Sequence, residues 1–183
     1  DGSIRSPVAK FLDDNELTGI RGALNAKPGD VLLIAADRWK LAVEVLGMLR
    51  NDLLRPSAHQ DLAFLWVIDF PLFEEDEDGT ITFSHHPFTS PASLDEMRDN
   101  PTGAISKAYD AVLNGVELGS GSVRIHDPDV QRQVFDILGI EPETAERRFG
   151  WFLEALRYGT PPHAGFAFGI DRLVMVLQGE TSI

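Results

Sequence analysis

The stretch NGVELGSGSVRIH, residues 114–126, sets Glu117 and Arg124 apart in a strand-like run, with two glycines and two serines between them. Opposite charges in a half-buried strand either pair with each other or act together on a ligand. Asn114-Gly115 is the strongest short hairpin signal, because a type I′ turn needs positive φ at both central residues. A two-residue loop there pairs Leu113 with Val116, Val112 with Glu117 and Asp110 with Gly119. Alternation then places Ala111, Leu113, Val116 and Leu118 on an apolar face and Asp110, Val112, Glu117 and Gly119 on the other. Asp110 and Glu117 become diagonal neighbours ~7 Å apart at the backbone, within joint reach of a shared cation. Farther along, Val123 and Ile125 are the apolar positions, so the buried parity switches. One inserted residue does this, and a bulge is expected at Gly119-Ser120-Gly121. The insertion brings Arg124 and His126 to the face of the two acids. The plainer alternative is a structural ion pair between Glu117 and Arg124 on a solvated face. The second acid and the bulge beside the arginine favour a ligand site.

A second constellation lies in AGFAFGIDRLVM, residues 164–175. Gly165, Ala167 and Gly169 alternate with Phe166, Phe168 and Ile170, which predicts one bulky, core-facing side and one bare enough for a flat ring. Asp171 reads as the N-cap of the next helix and Arg172 follows it, where the helix dipole disfavours a cation unless an anion binds there. The competing reading pairs Arg172 with a neighbouring carboxylate. His85 and His86 sit in a loop stiffened by Pro87 and Pro91 and read most simply as polar surface. No zinc-ligand spacing, phosphate-binding glycine loop or nucleophile motif occurs.

These groups need elements to hold them. Apolar periodicity predicts helices over 15–24 and Trp39–Leu54, and "VLLIAAD" reads as a buried strand between them. Residues 55–61, RPSAHQD, break the pattern and mark a junction. LAFLWVIDF reads as a strand buried on both faces, the acidic run after it as a solvated loop, and Leu94–Asp99 as a helix. Asp127 as N-cap with Pro128 opens a helix that stops at Gly139, and a second helix stops at Gly159. Trp39, Trp66 and Trp151 lie in apolar patterns and are expected in the core. The class is α+β.

The chain has 183 residues, 43% of them hydrophobic, enough for a real core. Its 16 Lys and Arg against 29 Asp and Glu give a net charge of −13, the wrong sign for a broad phosphate-binding surface. The absence of cysteine excludes disulfides and thiolate metal sites and fits a reducing compartment. With no bilayer-length apolar run and no signal-peptide pattern, a cytoplasmic location is the default. The chain opens on Asp1 rather than Met and stops soon after a helical pattern, so both ends are expected to be internal to a longer protein.

FLWVIDFPLFE, HHPFTSP, AYDAVLNGVELGSGSVRIH and YGTPPHAGFAFGIDRLVM together resemble the C-terminal half of the catalytic domain of bacterial-type aspartyl-tRNA synthetase. The likeness runs over residues 61–183. Residues 1–54 are similar to the end of the insertion domain that bacterial members share with an archaeal amidotransferase subunit, which makes 55–183 the catalytic part. The resemblance implies a class II antiparallel sheet flanked by helices, a homodimer, and a reaction that activates L-aspartate with ATP and Mg2+ and passes it to tRNA. It implies Glu117, supported by Asp110, as the magnesium and ATP-phosphate position. Arg172, with Gly169, Ile170 and Asp171, matches the motif that holds ATP. Arg124 matches the arginine for the aspartate side chain, and His85 the loop histidine that touches the amino acid. Ser120 departs from the pattern, standing where the family usually has glycine. The anticodon-binding barrel, motif 1 and the motif 2 arginine have no counterpart here, so this chain alone is expected to be inactive. A non-catalytic paralogue or a nucleotide or amino-acid binding module is the alternative; an amidotransferase-type protein accounts only for the N-terminal part.

Overall fold

The computed structural model describes residues 3–53, 61–76, 78–180 and 182–183. The chain divides into two compact units, Asp1–Arg55 and Pro56–Ile183. The junction expected at 55–61 lies, except for Asp61, outside the described residues, as does Leu54.

In the first unit, α1 (Asp14–Ala23) starts one residue earlier than the periodicity predicts because Asp13 caps it. The Asp13 carboxylate accepts from the Asn15 and Glu16 N–H groups at 2.8 Å, and Glu16 returns by accepting from the Asp13 N–H at 2.9 Å. Helix α2 covers Trp39–Leu53. The segment between them corrects the expected buried strand. Residues 31–36 carry no strand, and Val31, Leu33 and Ile34 are exposed, since no described segment offers them a ladder partner.

The second unit is built on a four-stranded sheet of order β1-β4-β5-β6, with β1 Phe64–Val67, β4 Ala108–Leu113, β5 Val116–Val123 and β6 Ala164–Phe168. Every pairing is antiparallel. A separate hairpin joins β2 (Phe73–Glu75) to β3 (Ile81–Phe83). Strand β1 is an edge strand with all four residues exposed, so the expectation of burial on both faces fails for want of any described element covering it. The tryptophan expectation fails too: Trp39 is 83% exposed, Trp66 62% and Trp151 76%. Trp151 lies on the outward side of α5 (Pro142–Arg157), whose buried residues are Ala145, Gly150 and Leu156.

The core gathers Leu72, Phe73, Met97, Ala104, Ile125 and Val134 beneath the β2–β3 hairpin, α3 (Leu94–Asp99) and α4 (Pro128–Ile137). Helix α4 starts as the residues dictate: the Asp127 carboxylate accepts from the Asp129 N–H at 2.8 Å, Pro128 occupies the first turn, and Gly139 takes φ 66° just past the end. Helix α6 (Ile170–Gln178) departs from expectation. Its N-cap is Gly169, so Asp171 and Arg172 lie inside the first turn.

Candidate functional site

Asn114 and Gly115 take φ 50° and 83°, and the hairpin they make pairs Leu113 with Val116 and Val112 with Glu117 as the sequence predicts. Asp110, however, faces Ser120, not Gly119, because the register shifts between Ala111 and Val112 and leaves Leu118 as the extra residue. The start of α6 explains why the bulge sits there and not at Gly119-Ser120-Gly121. The Gly169 N–H donates to the Leu118 carbonyl at 2.6 Å, and Arg172 Nη1 donates to the Glu117 carbonyl at 3.0 Å.

The register sorts the side chains. Asp110, Glu117, Ser120, Ser122 and Arg124 share one face of the sheet with Gly165 and Ala167 of β6. Trp66, Tyr109, Phe166 and Phe168 share the other. Trp66 meets Tyr109 and Phe166 edge-on, and Tyr109 stacks on Phe166. The glycines of β5 serve this aromatic side. A Cβ on Gly119 would lie 2.5 Å from the Ala167 carbonyl oxygen and 2.6 Å from the Phe166 ring, and one on Gly121 would strike the Gly165 carbonyl and lie 2.6 Å from the Tyr109 ring. The bulky side of β6 is therefore not core: Phe166 and Phe168 remain 43% and 46% exposed. His126 lies beyond β5 and is exposed.

On the bare face the charges split into two groups. Arg172 Nη1 pairs with Glu117 Oε1 at 3.2 Å, each side chain about half exposed. Such a pair contributes little to stability by itself. The carboxylate that the competing reading of Arg172 calls for is Glu117. Asp110 Oδ1 is buried with no hydrogen-bond partner among the described residues, an acceptor suited to a donor or a cation. Among the described residues no group of three or more His, Cys, Asp or Glu comes together, so a metal here would draw its ligands from these two carboxylates and from a bound substrate.

Arg124 forms the second group. It is half-buried, and among the described residues its guanidinium has no salt bridge, which removes the Glu117–Arg124 ion pair. Its backbone N–H donates to the His163 carbonyl at 2.9 Å, and its guanidinium lies over Gly165, where a Cβ would come within 3.4 Å of Nη2. The His85–Pro91 loop runs beside it: the Ile125 N–H donates to the Phe88 carbonyl at 3.0 Å and the Ser90 N–H to the Val123 carbonyl at 2.9 Å. This pairing brings His86, not His85, against the arginine, with Arg124 Nη1 and His86 Nδ1 3.2 Å apart. The ring of His86 is held neutral, its pKa lowered to about 4 by burial first, then by the Arg124 charge, then by His85. His85 turns instead to Phe70, ring centroids 4.6 Å apart, and its Nδ1 is buried without a partner among the described residues.

Sequence reasoning passed over His86 and its support. Phe88 is the signal: an aromatic between two prolines in a polar loop is an anchor, and here it packs against Phe149 and Phe152 of α5 at 5.4 and 4.8 Å.

The chain over residues 18–183 matches the family described as tRNA synthetases class II (D, K and N). It belongs to that family. Solved structures similar to this synthetase chain include a putative aspartyl-tRNA synthetase from Leishmania major Friedlin, 22% identical with TM-score 0.49, where the match covers 86% of this chain and 26% of that one. Another is aspartyl tRNA synthetase from Entamoeba histolytica, at 24% identity and TM-score 0.47, covering 88% of this chain and 27% of that one. A third is asparaginyl-tRNA synthetase of Entamoeba histolytica in complex with asparaginyl-adenylate, 20% identical with TM-score 0.48, covering 85% and 27%. The synthetase chain therefore spans about a quarter of the length of these structures. No helix among its described residues is long and apolar enough to cross a membrane.

Proposed function

We propose that this chain is part of a bacterial-type aspartate–tRNA ligase, with residues 1–54 the end of an insertion domain and 55–183 the C-terminal part of the catalytic domain. The observation that carries the choice of aspartate is Arg124. A half-buried guanidinium with no carboxylate partner among the described residues, set beside a neutral histidine, is a seat for a small acid. Asparagine would offer it a neutral amide and lysine a repelling cation, and either would leave a half-buried charge unmatched.

On this reading the aspartate side chain lies against Arg124, with the buried Nδ1 of His85 facing the amino acid. ATP lies along the bare face of Ser120, Gly165 and Ala167, and Gly169, Ile170, Asp171 and Arg172 meet its phosphates at the first turn of α6. Asp110 and Glu117 would hold magnesium, the unpartnered Asp110 oxygen fitting a hard cation. Bound there, the ion would neutralise phosphate charge. The aspartate α-carboxylate attacks the α-phosphorus in line, pyrophosphate leaves, and a mixed anhydride with AMP remains; a tRNA hydroxyl then attacks its carbonyl and releases AMP. The chain supplies position and charge, Arg172 toward the phosphates and Arg124 toward the amino acid, and no acid or base. Dimerisation, tRNA reading and the remaining contacts belong to the whole protein.

The test is isotope exchange between pyrophosphate and ATP by the full-length protein with aspartate, asparagine and lysine offered singly. Exchange with aspartate alone is expected. In Arg124→Leu the aspartate KM should rise at least ~100-fold while the ATP KM moves less than about threefold, a lost charged contact being worth several kcal/mol in a half-buried site. Equal losses toward both substrates, or exchange with asparagine alone, would reject the assignment.

A further inference from the structure

The reading above uses His86 only as a neutral neighbour of Arg124, yet the structure surrounds its ring with specific partners. Two N–H groups aim at its Nδ1: the Phe88 backbone at 3.2 Å and Arg124 Nη1 at 3.2 Å. Neither can accept a proton, so Nδ1 must be the acceptor and the ring proton must sit on Nε2. The Thr89 hydroxyl stands 3.4 Å from the same nitrogen and 3.4 Å from the hydroxyl of buried Ser122, one β5 alternation from Arg124. The loop that carries the ring is held from behind as well. Gln131 of α4, fully buried, donates from Nε2 to the Pro87 carbonyl at 2.7 Å, and Phe88 is wedged among Phe135, Phe149 and Phe152.

We infer that His86 is a positioning residue: as a neutral Nε2–H imidazole it seats the Arg124 guanidinium through Nδ1 and fixes its planar donors for an acidic side chain, without using up its charge. Each alternative to a neutral acceptor at this place does worse. A carboxylate would pair with Arg124 and compete with the ligand. A protonated imidazole would lose the acceptor and repel the guanidinium. An apolar residue would leave the arginine free to swing on its long, flexible stem. The inference rests on the aspartate reading for its ligand, but its geometry stands apart from it.

Two measurements on the full-length protein decide it. In pyrophosphate exchange, His86→Leu should raise the aspartate KM about tenfold, the scale of one lost hydrogen bond that orients a charged group, with the ATP KM within about twofold. His86→Asn, whose Oδ1 can stand in for Nδ1, should recover most of the loss. An unchanged aspartate KM in His86→Leu, or equal losses toward ATP and aspartate without rescue by asparagine, overturns the inference. If the wild-type protein shows no exchange with aspartate, the proposed function falls, and the imidazole nitrogen shifts in protein carrying labelled histidine then decide His86 alone. A neutral Nε2–H tautomer at pH 6, perturbed in Arg124→Leu, supports it. A Nδ1–H tautomer or a protonated ring at that pH overturns it.

Discussion

A neutral imidazole against a guanidinium makes the fold sensitive to acid, and the direction follows from the proton count. His86 is lowered from an ordinary 6.5 to about 4 in the folded protein. Between those values the unfolded chain binds the proton and the folded chain does not, so stability is fully present above about 6.5 and is lost as pH falls toward 4. Burial is the main cause of this lowering, and the Arg124 charge and then His85 add to it, while carboxylate titration adds its own slope at the acid end. Comparing denaturant midpoints at pH 7.5 and 4.5 isolates the histidine. The wild-type midpoint should fall more over that interval than the midpoint of His86→Asn, which has no imidazole to protonate. Parallel falls would mean that His86 titrates as a free surface histidine. Between pH 6.5 and 8 the ring stays neutral, and aspartate use should carry no step from it.

Two glycines of the site, Gly121 and Gly165, differ in what a methyl group would meet. At Gly121 a Cβ would strike the Gly165 carbonyl of the neighbouring strand and lie 2.6 Å from the Tyr109 ring, and neither backbone nor packed ring can move cheaply. At Gly165 it would lie 3.4 Å from Arg124 Nη2, an ordinary contact with the end of a flexible side chain. Gly121→Ala should therefore cost ~2 kcal/mol or more in urea unfolding and Gly165→Ala less than about half of that. Equal costs would show that β5 and β6 are not packed this closely. The same strands mark the limit of what the sequence discloses. Cap and turn chemistry is local, so Asp127 with Pro128, Asn114-Gly115 and the helix-ending Gly139 and Gly159 announced their elements within a residue or two. The bulge at Leu118 is not local. It follows from hydrogen bonds reaching it from Gly169 and Arg172, some fifty residues away, while the glycines that seemed to invite it make room for aromatic rings. The shared face of Asp110, Glu117 and Arg124 was still legible, because any single insertion in β5 restores their parity. Which histidine meets Arg124 was not, since the register of an irregular loop against a strand leaves no periodic trace.

At the scale of the whole molecule the charge decides what this chain can hold. Its net charge is −13, and of the cations in the candidate site Arg172 is already paired with Glu117, which leaves Arg124 beside a neutral ring. On the proposed reading each meets a single small anion, one a carboxylate and the other a phosphate group. Neither the count nor the arrangement supplies a track of lysines and arginines along a polynucleotide, and long-range repulsion opposes the approach of one. If the chain contributes the amino-acid and ATP half of a synthetase, tRNA affinity must come from other parts of the protein. Filter binding of labelled tRNA to the 183-residue chain at ~150 mM salt should accordingly show a Kd weaker than ~100 μM, at or beyond the weak end of non-specific binding. Submicromolar binding that weakens steeply with added salt would place a tRNA-contacting surface on this chain. The split between a substrate-activating part and a tRNA-reading part would then have to be redrawn.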